Sequence, residues 1–220
     1  MPNQPSRDAL WGSLTSEPFT GVTILSVEGE VRFINPQSIR IYLDDEWRPE
    51  DVIGKSIHEL LPFEFAEERL AIYRRIAADR KPRLVRTIWH GLQHHAWHYP
   101  LEGEDDDQPV TDILAVTRRT AEHPDQPKPP DGYEFIRAEV NDLGPLGDLS
   151  ERELVVLALI GQGLTLKEVA AKVHRSLKTV QTQRDAIGRK LGVRSRSELQ
   201  EIIVRAGLTL RDVDHENEKV

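Results

Sequence analysis

Two groups of side chains in this chain of 220 residues have types and spacing that could do chemistry. The first surrounds Val180. If the residues after Ser176 form a helix, a turn of 100° per residue sets Lys178, Thr182, Asp185 and Arg189 opposite Val180, with Gln181 at the edge. That face is polar throughout. Gln pairs bidentately with adenine and Lys favours guanine acceptors, so Lys178, Gln181, Thr182 and Asp185 are candidates for reading base edges. Lys167, Lys172, Arg175, Thr179, Arg184, Arg189, Lys190, Arg194 and Arg196 lie on or around it and suit phosphates, which position a protein without reading sequence. The second group is His90, His94, His95 and His98, crowded into one β-prone stretch. Strand alternation puts His94 and His98 on one face and His95 on the other. Neutral imidazoles ligate metals and haem, which makes His94 and His98 the candidate pair. No carboxylate or second ligand pair completes a site, so the reading preferred here is a His-rich strand with one solvated face, without cofactor or metal.

The first group needs helices that hold it in place, and capping chemistry marks their boundaries. Ser150-x-x-Glu153, Thr165-x-x-Glu168 and Ser195-x-x-Glu198 are capping boxes, and each precedes an apolar helical pattern. Ser176 is the expected N-cap of a further helix carrying Val180, Ile187 and Leu191 on one stripe, with Gly192 past its end. The short connection His174-Arg175-Ser176 fits a helix-turn-helix, whose later helix lies in the DNA major groove. Charge agrees with this. Residues 149–211 hold 12 Lys/Arg against 6 Asp/Glu, whereas residues 1–148 hold 16 against 27 and residues 212–220 hold 1 against 4. The net charge of -8 therefore hides a basic block that alone suits a polyanion.

Composition removes other classes. There is no cysteine, so disulfides, thiolate-held clusters and thiol nucleophiles are excluded. No apolar run approaches the roughly 20 residues of a membrane span, and the polar start with Pro2 and Pro5 lacks a secretory signal pattern, so a cytoplasmic protein without membrane contact is expected. No catalysis is expected. Four prolines in seven residues, Pro124, Pro127, Pro129 and Pro130, open a semi-rigid linker. Tyr133, Phe135, Ile136 and Val140 are too apolar for an idle spacer and should pack on a domain.

The segment from Leu149 to Leu208 resembles the DNA-binding domain of the LuxR/FixJ regulators. Leu149, Arg152-Glu153, Val156-Leu157, Gly163, Lys167-Glu168, Ala170, Ser176, Thr179-Val180, Lys190-Leu191-Gly192-Val193, Arg196 and Leu199 fall in register. Gln183 stands where that family usually has His, Asp185 where a basic or neutral residue is usual, and Gly188 interrupts the helix at a cost of about 1 kcal/mol relative to Ala. The resemblance implies a four-helix module whose last helix mediates dimerisation on palindromic double-stranded DNA, which points to Leu199, Ile202 and Ile203. A protein-binding bundle with a solvated charged face, and the promoter-reading region of a sigma factor, are the rival readings.

Upstream, Val22–Val27 and Val31–Ile34 read as a hairpin through Glu28-Gly29-Glu30. A short helical turn follows at Ser56-x-x-Glu59, then a helical stripe of Phe65, Leu70, Tyr73, Ile76 and Ala77. Leu84–Trp89, Leu92–Pro100 and Val110–Arg118 read as strands, the last two joined by an acidic turn at Glu102 to Asp107. GVTILSVEGEVRFINPQS, VIGKSIHELLP and YPLEGEDDDQPVTDILAVTRR resemble a PAS domain, which implies ligand sensing, pairing or both. Leu10, Trp11 and Leu14 have helical spacing and form either a flanking helix for homodimerisation or a segment packed on the sheet.

The expected architecture is α+β: a flanking helix over 1–16, a PAS-like domain over 17–120, a Pro-rich linker over 121–148, a LuxR-type helix-turn-helix over 149–211 and a charged, frayed tail over 212–220. The expected function is a one-component transcription regulator whose PAS domain, with or without a small-molecule ligand, controls a DNA-binding homodimer. A PAS adaptor acting through protein contacts and a haem- or metal-dependent sensor are the alternatives.

Overall fold

The structure, a computed structural model, describes residues 6–43, 46–101, 108–121 and 129–214. The acidic turn at 102–107 and, of the proline run, Pro124 and Pro127 lie outside them. The chain divides into two compact units, one of residues 1–86, 94–119 and 129–140, the other of residues 87–93, 120–128 and 141–220.

The first unit opens with α1 (Arg7–Ser16), capped by the Ser6 hydroxyl accepting from Ala9 N at 3.1 Å. β1 (Thr20–Ser26) and β2 (Val31–Ile34) form the expected hairpin. Its turn needs Gly29 twice over: φ is +89°, and a Cβ would lie 2.8 Å from the Leu70 side chain. Next come α2 (Pro36–Tyr42), α3 (Pro49–Val52), α4 (Ile57–Leu60) and the long α5 (Phe63–Asp79). Strands β3 (Arg83–Trp89), β4 (Leu92–Leu101), β5 (Asp112–Arg119) and β6 (Glu134–Arg137) complete a sheet of order β2-β1-β5-β4-β3-β6. Sequence reading missed α2, although Asn35 and Pro36 are an N-cap and N1 pair. It also missed β6, which lies inside the segment read as a linker and pairs parallel to β3, Leu84 opposite Phe135 and Val85 opposite Ile136. Buried Arg83 fixes that edge, its Nη2 lying 2.5 Å from Asp79 Oδ2 and 3.0 Å from Glu134 Oε2. The core between sheet and helices includes Leu25, Val31, Ile57, Leu70, Tyr73, Ile76, Val85 and Ile113. Each aliphatic side chain buried there contributes about 1.5–3 kcal/mol relative to exposure.

The second unit contains α6 (Glu151–Gly161), α7 (Leu166–Lys172), α8 (Leu177–Lys190), α9 (Arg196–Ala206) and α10 (Leu210–Asp214). Each sequence-predicted capping carboxylate is in place: Glu153 on Ser150 N at 2.8 Å, Glu168 on Thr165 N at 2.7 Å and Glu198 on Ser195 N at 3.2 Å. Leu149, Leu154, Leu157, Val169, Val180, Ile187, Leu199, Ile203 and Leu208 share one core. The tail reading is corrected at its start. Thr209 and Asp212 make a further box, with Thr209 N donating to Asp212 Oδ2 at 2.8 Å and the hydroxyl at 2.7 Å, and Asp212 and Val213 are buried. Among the described residues no helix is long and apolar enough to cross a membrane.

Candidate functional site

The helix-turn-helix is built by α7, the turn His174–Ser176 and α8. Val173 ends α7, His174 takes φ +53°, and Arg175 N donates to Ala170 O at 2.9 Å, which reverses the chain within a few residues. The Ser176 hydroxyl then accepts from Thr179 N at 3.1 Å and starts α8. Val180 and Ile187 point into the core, so rotation about α8 is fixed. Lys178, Gln181, Thr182, Asp185 and Arg189 are all exposed on the other side. The Thr182 hydroxyl donates to Lys178 O at 3.0 Å, which orients it along the helix. Arg184 Nη1 lies 3.1 Å from Asp185 Oδ1, so the acidic residue is partly neutralised by its neighbour.

Of the phosphate candidates, Lys167, Lys172, Arg175, Thr179, Arg189 and Arg194 are exposed and Arg184 is half-buried. Lys190 is differently engaged. Its Nζ donates to Glu153 Oε2 at 2.7 Å and to Asp148 O at 3.1 Å, tying the end of α8 to the start of α6. The side chain of Arg196 lies outside the description. Leu177, the first residue of α8, was not singled out from sequence, yet it is exposed beside Lys178. Gly188 also has a packing reason: Val193 N donates to Gly188 O at 2.9 Å, and a Cβ at 188 would sit 3.3 Å from Val193 O. Gln183 keeps its amide oxygen buried with no hydrogen-bond partner.

The candidate dimer residues separate. Leu199 and Ile203 are buried in the core of the single chain, and Ile202, half-buried, packs against it, so of the three expected dimerisation residues only Ile202 keeps partial exposure; Val204 is an exposed apolar residue of α9. Their periodicity reported a buried stripe, and α6 of the same chain packs against it, the Ile203 side chain lying against Gly161. On α1, Leu10 and Trp11 are exposed, while Leu14 borders a groove with Trp97, Tyr99, Leu114, Val116 and Arg118. Trp11 rests on Phe33 at 5.2 Å between ring centroids.

The histidines do not form a solvated strand face. His94, His95 and His98 are all buried, because helices cover one side of the sheet and aromatic side chains lie on the other. His90 sits in the β3–β4 turn with φ +51° and its Nδ1 2.9 Å from Asp142 Oδ2. Among the described residues no three His, Asp or Glu side chains converge as a metal site. Burial first, and then the Arg69 guanidinium, push His98 down to about 3, so its imidazole is neutral at ordinary pH.

The strand order β2-β1-β5-β4-β3 with helices inserted between β2 and β3 defines the first unit as PAS-like, and the α7-turn-α8 geometry defines the second as a helix-turn-helix. Residues 148–203 match the profile of the bacterial regulatory proteins, luxR family, so the C-terminal unit carries a LuxR-family domain. The chain is 30% identical over 125 residues to the oxygen regulatory protein NreC of Staphylococcus carnosus, covering 55% of this chain and 58% of that protein. It is 41% identical over 68 residues to NreC of Staphylococcus aureus strain JH9, covering 31% of each. The chain thus spans little more than half of one such relative and a third of the other. The structure of Vibrio cholera VqmA in complex with ligand and DNA shares the fold, with 16% identity, a TM-score of 0.52 and coverage of 96% of this chain and 93% of that one.

Proposed function

We propose that this protein is a sequence-specific DNA-binding transcription regulator in which the PAS-like unit controls pairing and the LuxR-type unit reads the site. The observation that carries this is the outward face of α8: Lys178, Gln181, Thr182, Asp185 and Arg189 exposed together while Val180 and Ile187 anchor the helix. Lys178, Gln181 and Thr182, in the first turns, are assigned to base edges, and Leu177 to a thymine methyl group. Asp185 lies further along the same face. Lys167, Lys172, Arg175, Arg189 and Arg194 are assigned to phosphates. Two copies would set two such helices about 34–36 Å apart on an inverted repeat. The DNA-bound relative fold of VqmA supports the reading. It requires no catalytic step, and a protein of this kind works in the cytoplasm.

The test is selection from randomised duplex DNA with the full chain at two salt concentrations. An inverted repeat whose binding weakens steeply with salt is expected, and the triple variant Lys178→Ala, Gln181→Ala, Thr182→Ala should lose the enrichment. Equal enrichment by the folded triple variant would overturn the assignment of α8.

A further inference from the structure

The inner side of the PAS-like unit holds an unusual set of polar groups. Phe65, Arg69 and Tyr73 recur every four residues on α5 and so share one face. His98 lies on β4 opposite Ala115 of β5, and Thr117, two residues along, lies on the same face of the sheet as Ala115. Tyr73 and His98 meet at 5.6 Å between ring centroids, Arg69 lies 4.3 Å over the Phe65 ring, and the Tyr42 and Thr117 hydroxyls are 3.1 Å apart. Helix and sheet therefore enclose one cluster.

Arg69 is only 4% exposed, and a buried guanidinium normally uses its whole donor fork. Here Nη1 reaches Glu68 Oε2 at 3.1 Å, while Nη2 is buried without a hydrogen-bond partner. Glu68 is itself shared, its other oxygen accepting from Glu139 N at 2.6 Å. His98 Nδ1 is likewise buried without a partner. The guanidinium opposes ionisation of His98 and favours that of Tyr42 and Tyr73, so its field reaches all three side chains. A positive field with an unused donor edge, bordered by aromatic rings, is complementary to a planar anion with an apolar body.

We propose that this cluster is a receptor site for a small aromatic carboxylate, one of whose carboxylate oxygens takes Arg69 Nη2, the other meets the imidazole of His98 at Nδ1, and whose ring packs by Phe65 and Tyr73. This deepens the regulator reading, on which it rests for its meaning as a signal, by naming the class of ligand the sensor unit takes.

The test is a titration of the full chain, without DNA, with benzoate and with benzamide, its neutral counterpart of similar shape, followed by calorimetry and by the NMR shifts of α5 amides. Saturable benzoate binding is expected, weakened about tenfold or more in Arg69→Gln and by a similar factor for benzamide on the native chain. Arg69→Lys, which keeps the charge, should recover part of the affinity. If Arg69→Gln fails to fold by circular dichroism, His98→Phe supplies the second variant and should weaken binding in the same sense. Absence of saturable benzoate binding, equal binding of benzamide, or unchanged binding by the folded variants would overturn the proposal. Retained benzoate binding with no DNA enrichment would sink the regulator reading instead, so the two failures are distinct.

Discussion

Lys190 Nζ stands 2.7 Å from Glu153 Oε2, and the same carboxylate oxygen accepts from Ser150 N at 2.8 Å. One oxygen therefore caps α6 and clamps the end of α8. Burial raises Glu153, but the bonds from Lys190 and Ser150 more than offset this and hold it below the ordinary carboxylate range. Glu153→Ala should destabilise the helical unit by about 1–3 kcal/mol, read from urea midpoints. Because its folded value is depressed, Glu153 adds stability above the ordinary carboxylate range and loses it as pH falls through its folded value. The variant should accordingly show a shallower acid decline.

The same pair separates two kinds of basic residue on α8. Arg189 is exposed and unpaired in its assignment to a phosphate, so Arg189→Ala should lower the slope of log affinity against log salt by about 0.9. Lys190→Ala should lower the urea midpoint and leave that slope nearly unchanged. Gln181→Ala, by contrast, should relax preference at one base pair, at a cost of about 1–3 kcal/mol on the preferred site alone. Filter-binding curves across salt and single-base site variants distinguish the three.

The contrast between Lys190 and its neighbours marks how far sequence reasoning reaches. Ser150, Thr165, Ser176 and Ser195 were legible as helix starts because a cap depends on residues three positions away. Val180 and Ile187 gave the rotation of α8, hence its exposed face, by the same local logic. Lys190 looked like any basic residue there, since its partner Glu153 is distant in the chain and already had a role. β6 was hidden for a related reason: its four residues acquire strand character only by parallel pairing with β3, which no local pattern encodes. Thr209 and Asp212 did carry a local signal, but it lay at the edge of a charged tail and was read as part of it. Arg69 sits between Phe65 and Tyr73 in a stripe whose period was recognised; a basic residue four positions from an aromatic one on a buried face was the overlooked clue.

Two exposed apolar positions allow the proposed pairing to be tested and its source separated. Leu10 on α1 and Val204 on α9 are 56% and 43% exposed, so neither supports the fold of a single chain appreciably. Leu10→Asp and Val204→Asp should each leave the circular dichroism spectrum intact. Sedimentation equilibrium should show the dimer constant weakened about tenfold or more by the substitution on the pairing surface and unaffected by the other. If neither moves it, pairing lies elsewhere.

Asn35 makes an unusual number of connections for one side chain. Its Oδ1 accepts from Val22 N and Ser38 N, each at 2.9 Å, and its Nδ2 donates to Thr20 O at 2.9 Å and Thr15 O at 3.0 Å. It thus joins β1, the start of α2 and the end of α1 at a site only 2% exposed. Asn35→Ala should cost about 2–4 kcal/mol by leaving buried backbone groups unpaired. Asn35→Asp keeps the acceptor, loses both donors and sets a carboxylate against two carbonyl groups. It should therefore fold less stably near neutral pH than at mildly acidic pH, as measured by thermal unfolding.

His98 predicts the opposite dependence in the native chain. It is faced by Tyr73 and lies in the field of Arg69, with Tyr42 beyond, and its folded value is held at about 3 against about 6.5 when unfolded. Between these values the unfolded chain binds one more proton than the folded chain. Stability is therefore full above about pH 6.5 and declines as pH falls toward the folded value, by up to about 1.4 kcal/mol per pH unit from this group. His98→Gln removes the titration. Urea midpoints from pH 7 to pH 4 should fall less steeply for the variant, whatever its stability at pH 7. Parallel curves for the two proteins would mean that His98 protonates in place, and that the interior of the PAS-like unit accommodates a second positive charge beside Arg69.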